Sequence, residues 1–257
     1  MLETFSYFKN KKLFGSMSNL SRMERLMTEN DRKKAELLST AWRFFNSRNM
    51  VDGFGHISAR MDDPNHFLIT PHSTPSKSSP EDFVVVDLDG NQIGSDVRLP
   101  GELPIHTEIF RARPDVGAIA HFHCHHATSF SMSEHDLAPT YFLASIFYDG
   151  IPVHPDPNLV NDKARGEALV RTLGQNRAAL MRAHGFVMTG ADIYEMTAGV
   201  FIIEDNAKRT QIAASMGKYD IMGEEEMEQI GKEILDHKNP IMRIWTLCAE
   251  EAKAYGS

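Results

Sequence analysis

His121 and His123 stand two positions apart in the run Ala118-Ile-Ala-His-Phe-His123, which reads as a β-strand. Alternate strand residues face the same way, so the two imidazoles project from one face at a spacing that suits a single cation. His184 ends a second strand-like stretch and precedes Gly185, which would let the backbone turn sharply at a site edge. Three neutral imidazoles that leave coordination positions open describe a catalytic rather than a structural metal site. Glu102, ahead of a helical run, is the candidate carboxylate; His106 follows one turn on, and His56 leaves a Gly-rich turn. His125 and His126, at the strand's end, are less well directed and read as outer residues of the site. Each signal alone has a plainer reading: an incidental HxH, a first-turn acid favoured by the helix dipole, a turn histidine. Their weight comes from standing together and in this order.

The elements that must position these residues follow from periodicity. Residues 30–49 have helical spacing, with Leu37, Leu38, Ala41, Phe44 and Phe45 on one face and Asn30 or Asp31 as the cap. Short strands are expected after Gly55, at 67–70 and at 84–87, with Asp89-Gly90 as a hairpin turn into Gln92-Ile93. A helix over 104–113 stopped by Pro114, a strand over 116–123, a helix over 127–132, a strand over 180–183, a helix over 193–215 and a last helical stretch around Trp245 complete the chain. Helices flanking short strands joined by tight turns predict an α/β fold, a layered α/β/α domain with a largely antiparallel or mixed sheet. No long linker or repeat interrupts it, so residues 30–257 are expected to form one domain and residues 1–29 an N-terminal arm, or a segment packed on a neighbouring subunit.

Bulk properties narrow the function. The 257 residues are 42% hydrophobic and 24% charged, ordinary globular usage. A net charge of -8 argues against non-specific nucleic-acid binding yet leaves room for a small anionic substrate, because a metal supplies local positive charge. Two distant cysteines, Cys124 and Cys248, make no disulfide framework and suit a reducing cytoplasmic setting. No apolar run reaches the ~18 residues of a membrane span, and the N-terminus lacks the core of a signal peptide.

The blocks GFGHISAR (53–60), FLITP (67–71), VVVDLDG (84–90), GELPIHTEIFRARPDVGAIAHFHCHHATSFS (101–131) and LMRAHGFVMTG (180–190) resemble, in this order, the class II aldolase/adducin superfamily. The resemblance covers nearly all of the chain after about Asp31. It implies a three-layer α/β/α sandwich, a homotetramer with active sites between subunits, and one divalent ion held by His121, His123 and His184, with Glu102 completing the shell at rest and acting as acid or base in turnover. Sugar-phosphate aldolases of the family carry Asn in place of His56, Thr-Gly in place of His72-Ser73 and Ser-Ser in place of Pro100-Gly101. Those positions bind phosphate, and their joint loss puts sugar-phosphate binding in doubt. The GHIS form, with Glu102, His106 and RARPDV, looks more like the hydroxypyridine-dicarboxylate and dihydroxyphthalate decarboxylases.

What this implies is a metal-dependent carbon–carbon lyase, a decarboxylase of a hydroxylated aromatic or heteroaromatic acid. Glu102 would deliver the proton to the ring carbon, with a raised pKa if the site excludes water. His56 would orient the departing carboxylate or share the proton work, while His72, Ser73 and Lys77 are candidates for a second anionic group. The ligand set suits Zn, Mn, Fe or Co. Alternatives within the superfamily are retro-aldol cleavage of a hydroxy-carbonyl or sugar derivative, non-haem iron oxygenase chemistry, and a non-catalytic adducin-like module.

Overall fold

A computed structural model describes residues 26–256; most of the expected N-terminal arm lies outside the described residues. The first described helix, α1 (Glu29–Ser47), is capped by Thr28, not by Asn30 or Asp31. Asp31 instead completes a capping box: its carboxylate accepts the Thr28 N–H at 3.0 Å while the Thr28 hydroxyl accepts the Asp31 N–H at 3.1 Å. Leu26 and Met27, just ahead of α1, are partly buried against the core.

Eight strands follow: β1 (His56–Arg60), β2 (His66–Ile69), β3 (Val84–Asp87), β4 (Gln92–Ile93), β5 (Ala118–Phe122), β6 (Val153–His154), β7 (Ala178–Met181) and β8 (Gly185–Gly190). They form one sheet in the order β4-β3-β2-β1-β5-β8-β7-β6. Every pair is antiparallel except β6–β7. The two-residue β6 has no readable signal in the sequence, because a strand that short shows no period.

Strand alternation divides the core in two. Ile57, Ala59, Leu68, Val85, Ala118, Ala120 and Phe122 face one layer, built from α1, α5 (Ile193–Ser215) and α7 (Asn239–Gly256). Phe67, Ile69, Val84, Val86, Ile119, Ala179 and Val187 face the other, covered by α2 (Leu103–Ala112) and α4 (Lys163–Leu173). Between them in the chain lies the short α3 (His125–Phe130); α6 (Glu224–His237) packs on the 3₁₀ segment Phe142–Phe147. Phe122 makes an edge contact with Phe45 at 4.9 Å, and a ring so buried contributes roughly 1.5–3 kcal/mol.

This alternation also decides where polar residues go. With Ile57 and Ala59 on the α1 side, His56 and Ser58 must point to the α2 side, and so must His121, one residue on from Ala120. Register places His56 directly opposite His121. Helix α2 is held over this face at both ends. At its C-terminus the Arg60 guanidinium donates to the carbonyls of Phe110 (2.7 Å), Arg113 (3.0 Å) and Val116 (3.0 Å), cations being favourable there. Midway, Gly166 of α4 allows close approach: a Cβ there would lie 2.7 Å from Glu108 Cγ and 2.8 Å from the Pro104 carbonyl oxygen.

Candidate metal centre

Four side chains from three places in the chain meet at the α2 end of this polar strip. Donor atoms of Glu102, His121, His123 and His184 all lie within 4.8 Å of one another. His121, next to last in β5, is fully buried, and its Nδ1 is 3.0 Å from the Phe186 carbonyl of β8. A carbonyl only accepts, so Nδ1 carries the hydrogen and the neutral ring keeps a lone pair on Nε2. His123 lies just past β5. Its Nδ1 faces the Asp52 carboxylate at 3.4 Å, which directs the hydrogen to Nδ1 and frees Nε2 in the same way. The two Nε2 atoms stand 3.1 Å apart. His184 sits in the β7–β8 turn with its Nε2 3.4 Å from Glu102 Oε2, the same oxygen that lies 3.4 Å from His121 Nε2.

Two imidazole lone pairs and a carboxylate oxygen at such separations, without hydrogens between the nitrogens, repel unless positive charge lies among them. Metal–nitrogen bonds of ~2.0–2.1 Å bring neighbouring ligand nitrogens to about 3.0–3.4 Å. The donor set therefore fits a divalent cation. The Asp52–His123 contact has the form in which a carboxylate orients a ligand imidazole. His184 Nδ1 is buried and has no protein partner among the described residues.

Glu102 occupies the N-cap position of α2 without capping it. Its side chain is buried and accepts the Val160 N–H at 2.9 Å, so the reading of a solvated first-turn acid does not hold. Burial works to raise its pKa, but the neighbouring His121 and His184 rings and the Val160 amide outweigh it and hold the carboxyl below its ordinary range. The raised value expected from water exclusion is thereby corrected: the side chain is buried, yet the Val160 N–H and the adjoining histidines favour its carboxylate form. Burial, then the neighbouring His121, pushes His123 down to about 4. Both rings behind the cluster are also held neutral, His106 pushed down to about 3 by burial and His56 lowered well below its usual value by burial and by His106 and His121.

His56 joins the cluster's border, its ring 5.0 Å from that of His121. His106, one turn from Glu102 as the helical spacing requires, bonds His56 Nδ1 through Nε2 at 2.7 Å and Ser58 Oγ through Nδ1 at 2.6 Å. Ser58 was legible in principle, being two residues from His56 on a strand; Asp52 and the Val160 N–H were not, because their placement depends on loop paths. His125 and His126 are not part of the site: His125 is exposed, and His126 turns to α5, where it bonds Gln211 at 2.7 Å. Gly185 serves another purpose than the expected turn. The positive φ falls on Ala183 (55°), while a Cβ on Gly185 would run into the Phe122 carbonyl and His123 Cδ2. His72, Ser73 and Lys77 are exposed on the loop after β2. His72 and Ser73 line a cleft of about 540 Å³ with Arg98 that includes none of the four cluster residues.

Fold and site together define an α/β/α protein with a histidine and glutamate cluster at adjoining strand ends that could hold a metal ion. Residues 36–210 match the Class II Aldolase and Adducin N-terminal domain, and the chain belongs to that family. It is 26% identical over 207 residues to a 3,4-dihydroxyphthalate decarboxylase of Rhodococcus jostii, covering 74% of this chain and 85% of that one. A 3-oxo-tetronate 4-phosphate decarboxylase of Haemophilus influenzae is 28% identical over 189 residues, 69% of this chain and 87% of the relative. Both fit the decarboxylase-like branch. Among solved structures, an aldolase II superfamily protein from Pseudomonas syringae superposes with a TM-score of 0.80 at 21% identity, over 91% of this chain and 98% of that one. An L-fuculose 1-phosphate aldolase gives 0.72 at 21% identity, over 81% and 98%; these two likenesses concern the fold. Among the described residues no helix is long and apolar enough to cross a membrane, and both cysteines are buried free thiols.

Proposed function

We propose that this chain is a metal-dependent carbon–carbon lyase that decarboxylates a hydroxylated aromatic or heteroaromatic acid. The observation that carries the reading is the meeting of His121, His123, His184 and Glu102 at one point. The decarboxylase names of the relatives at 26% and 28% identity support the choice of reaction. These four residues would hold a divalent cation, which would supply positive charge near the electron pair left behind as carbon dioxide departs.

The chain's own groups do the rest. Glu102 is ionised at rest and accepts the proton of the substrate hydroxyl on binding. It returns that proton to the ring carbon as the bond to the carboxyl carbon breaks, and the phenolate oxygen is reprotonated from solvent, so one proton is consumed per turnover. His56 borders the site and contacts the carboxylate or hydroxyl oxygen. His72, Ser73 and Lys77 are candidates for a second anionic group of the substrate, in a homotetramer whose neighbouring subunit closes the site. Residues 30–257 act as one domain, and the ion is Zn, Mn, Fe or Co.

A panel of hydroxybenzoic, dihydroxyphthalic and hydroxypyridine acids, assayed for carbon dioxide with each metal, tests the reading. Release from one member is expected. Release of aldehyde or ketone from a hydroxy-carbonyl panel instead would point to aldol cleavage. His123→Ala should fold, yet lose bound metal by elemental analysis; full occupancy would remove His123 from the ligand set.

A further inference from the structure

We propose that Ser58 and His106 are positioning residues that fix the tautomer of His56, so that His56 presents an Nε2–H donor, not a lone pair, beside the metal-binding cluster. The inference rests on the lyase reading only for what that N–H meets: a negatively charged substrate oxygen.

The argument is a count of hydrogens along a buried chain. Ser58 has no solvent exposure, and its hydroxyl bonds only His106 among the described residues. His106 is equally buried, with one nitrogen on Ser58 and the other on His56. Its ring lies parallel to Phe67 (15°), which holds its plane. Two arrangements satisfy the His56–His106 contact at 2.7 Å, since one hydrogen must lie between the nitrogens. If His106 carries its hydrogen on Nδ1, it donates to Ser58, and the serine hydrogen is then left without an acceptor in a dry interior. An unsatisfied buried donor of that kind is strongly disfavoured. If instead Ser58 donates to His106 Nδ1, every group is used. His106 then carries its hydrogen on Nε2 and donates to His56 Nδ1, and the neutral His56 must carry its own on Nε2. That atom has no hydrogen-bond partner among the described residues, and its ring adjoins His121.

Two consequences distinguish this from a structural role. His56 is not a metal ligand, because the nitrogen available to the site is protonated. It also cannot serve as a base there; it donates to a carboxylate or phenolate oxygen. Serine is thus the residue that decides the polarity of a histidine it does not touch.

The test uses the full chain, zinc-loaded and labelled with ¹⁵N-histidine, in long-range ¹H–¹⁵N spectra at neutral pH. His56→Gln and His106→Gln assign the two rings. Both are expected in the Nε2–H form in the unaltered protein, and Ser58→Ala should convert both to tautomer mixtures. A hydrogen on Nδ1 of His56 in the unaltered protein, or unchanged spectra in Ser58→Ala, would overturn the proposal. Should Ser58→Ala fail to fold, the unaltered protein's spectrum decides alone. Because no substrate is involved, the outcome is separate from whether the decarboxylase reading survives.

Discussion

At the scale of single residues, the decisive feature is what each acid and imidazole faces. Glu102 is anchored by the Val160 N–H at 2.9 Å, with the Nε2 atoms of His121 and His184 each 3.4 Å from its Oε2, so its geometry survives loss of charge better than its chemistry does. Glu102→Gln is therefore expected to retain bound metal in part while kcat falls roughly 10²–10⁴-fold, the usual weight of a positioned acid–base group; metal analysis beside turnover checks it. Asp52 faces His123 Nδ1 at 3.4 Å and so orients that imidazole toward the cluster. Removing such a partner weakens metal affinity by roughly 10–100-fold. Asp52→Ala should show this in a chelator competition titration while keeping the fold, and unchanged affinity would make the contact incidental.

At the scale of elements, the cluster histidines converge because β5 and β8 approach closely at their ends. Phe122 pairs with Phe186, and His121 bonds the carbonyl of that same residue. Gly185 permits this, since any side chain there would meet the Phe122 carbonyl and the His123 ring. Gly185→Ala must open the β5–β8 end, and overpacking of this kind destabilises by roughly 1–3 kcal/mol. Denaturant unfolding should show that loss together with reduced metal occupancy, whereas Gly223→Ala, where a Cβ meets nothing within 4 Å, should show no loss of metal. Helix α2 plays the matching part on the other side, carrying Glu102 and His106 one turn apart and pinned by Arg60 at its far end.

At the scale of the whole molecule, the polar strip between sheet and α2 has a stability signature. His106 is held neutral, its pKa pushed down to about 3 from an ordinary 6.5 by burial. Above pH 6.5 neither folded nor unfolded chain takes up this proton. Between pH 6.5 and 3 only the unfolded chain does, so the His106 contribution to stability is lost as pH falls. Each unit amounts to about 1.4 kcal/mol, and by pH 5 to about 2 kcal/mol from this group. Urea unfolding in excess chelator at pH 7 and pH 5 should show at least that loss, and His106→Gln should flatten the difference by a similar amount.

The sequence by itself determined most of the helices and strands around the site, the layered α/β class and the four cluster residues. These are periodic or closely spaced signals: HxH on a strand, His before Gly, Glu102 and His106 four apart on a helix. Only the tertiary structure decided which groups stand behind them. Asp52, Ser58 and Val160 are 71, 48 and 58 positions from the residues they contact. It likewise decided that Glu102 sits low rather than high in pKa, and that His126 looks toward α5 instead of the cluster. The physical reason is common to all of these: side-chain polarity is set by where hydrogens and charges meet in space, and those meetings depend on register and loop path, which leave no period along the chain.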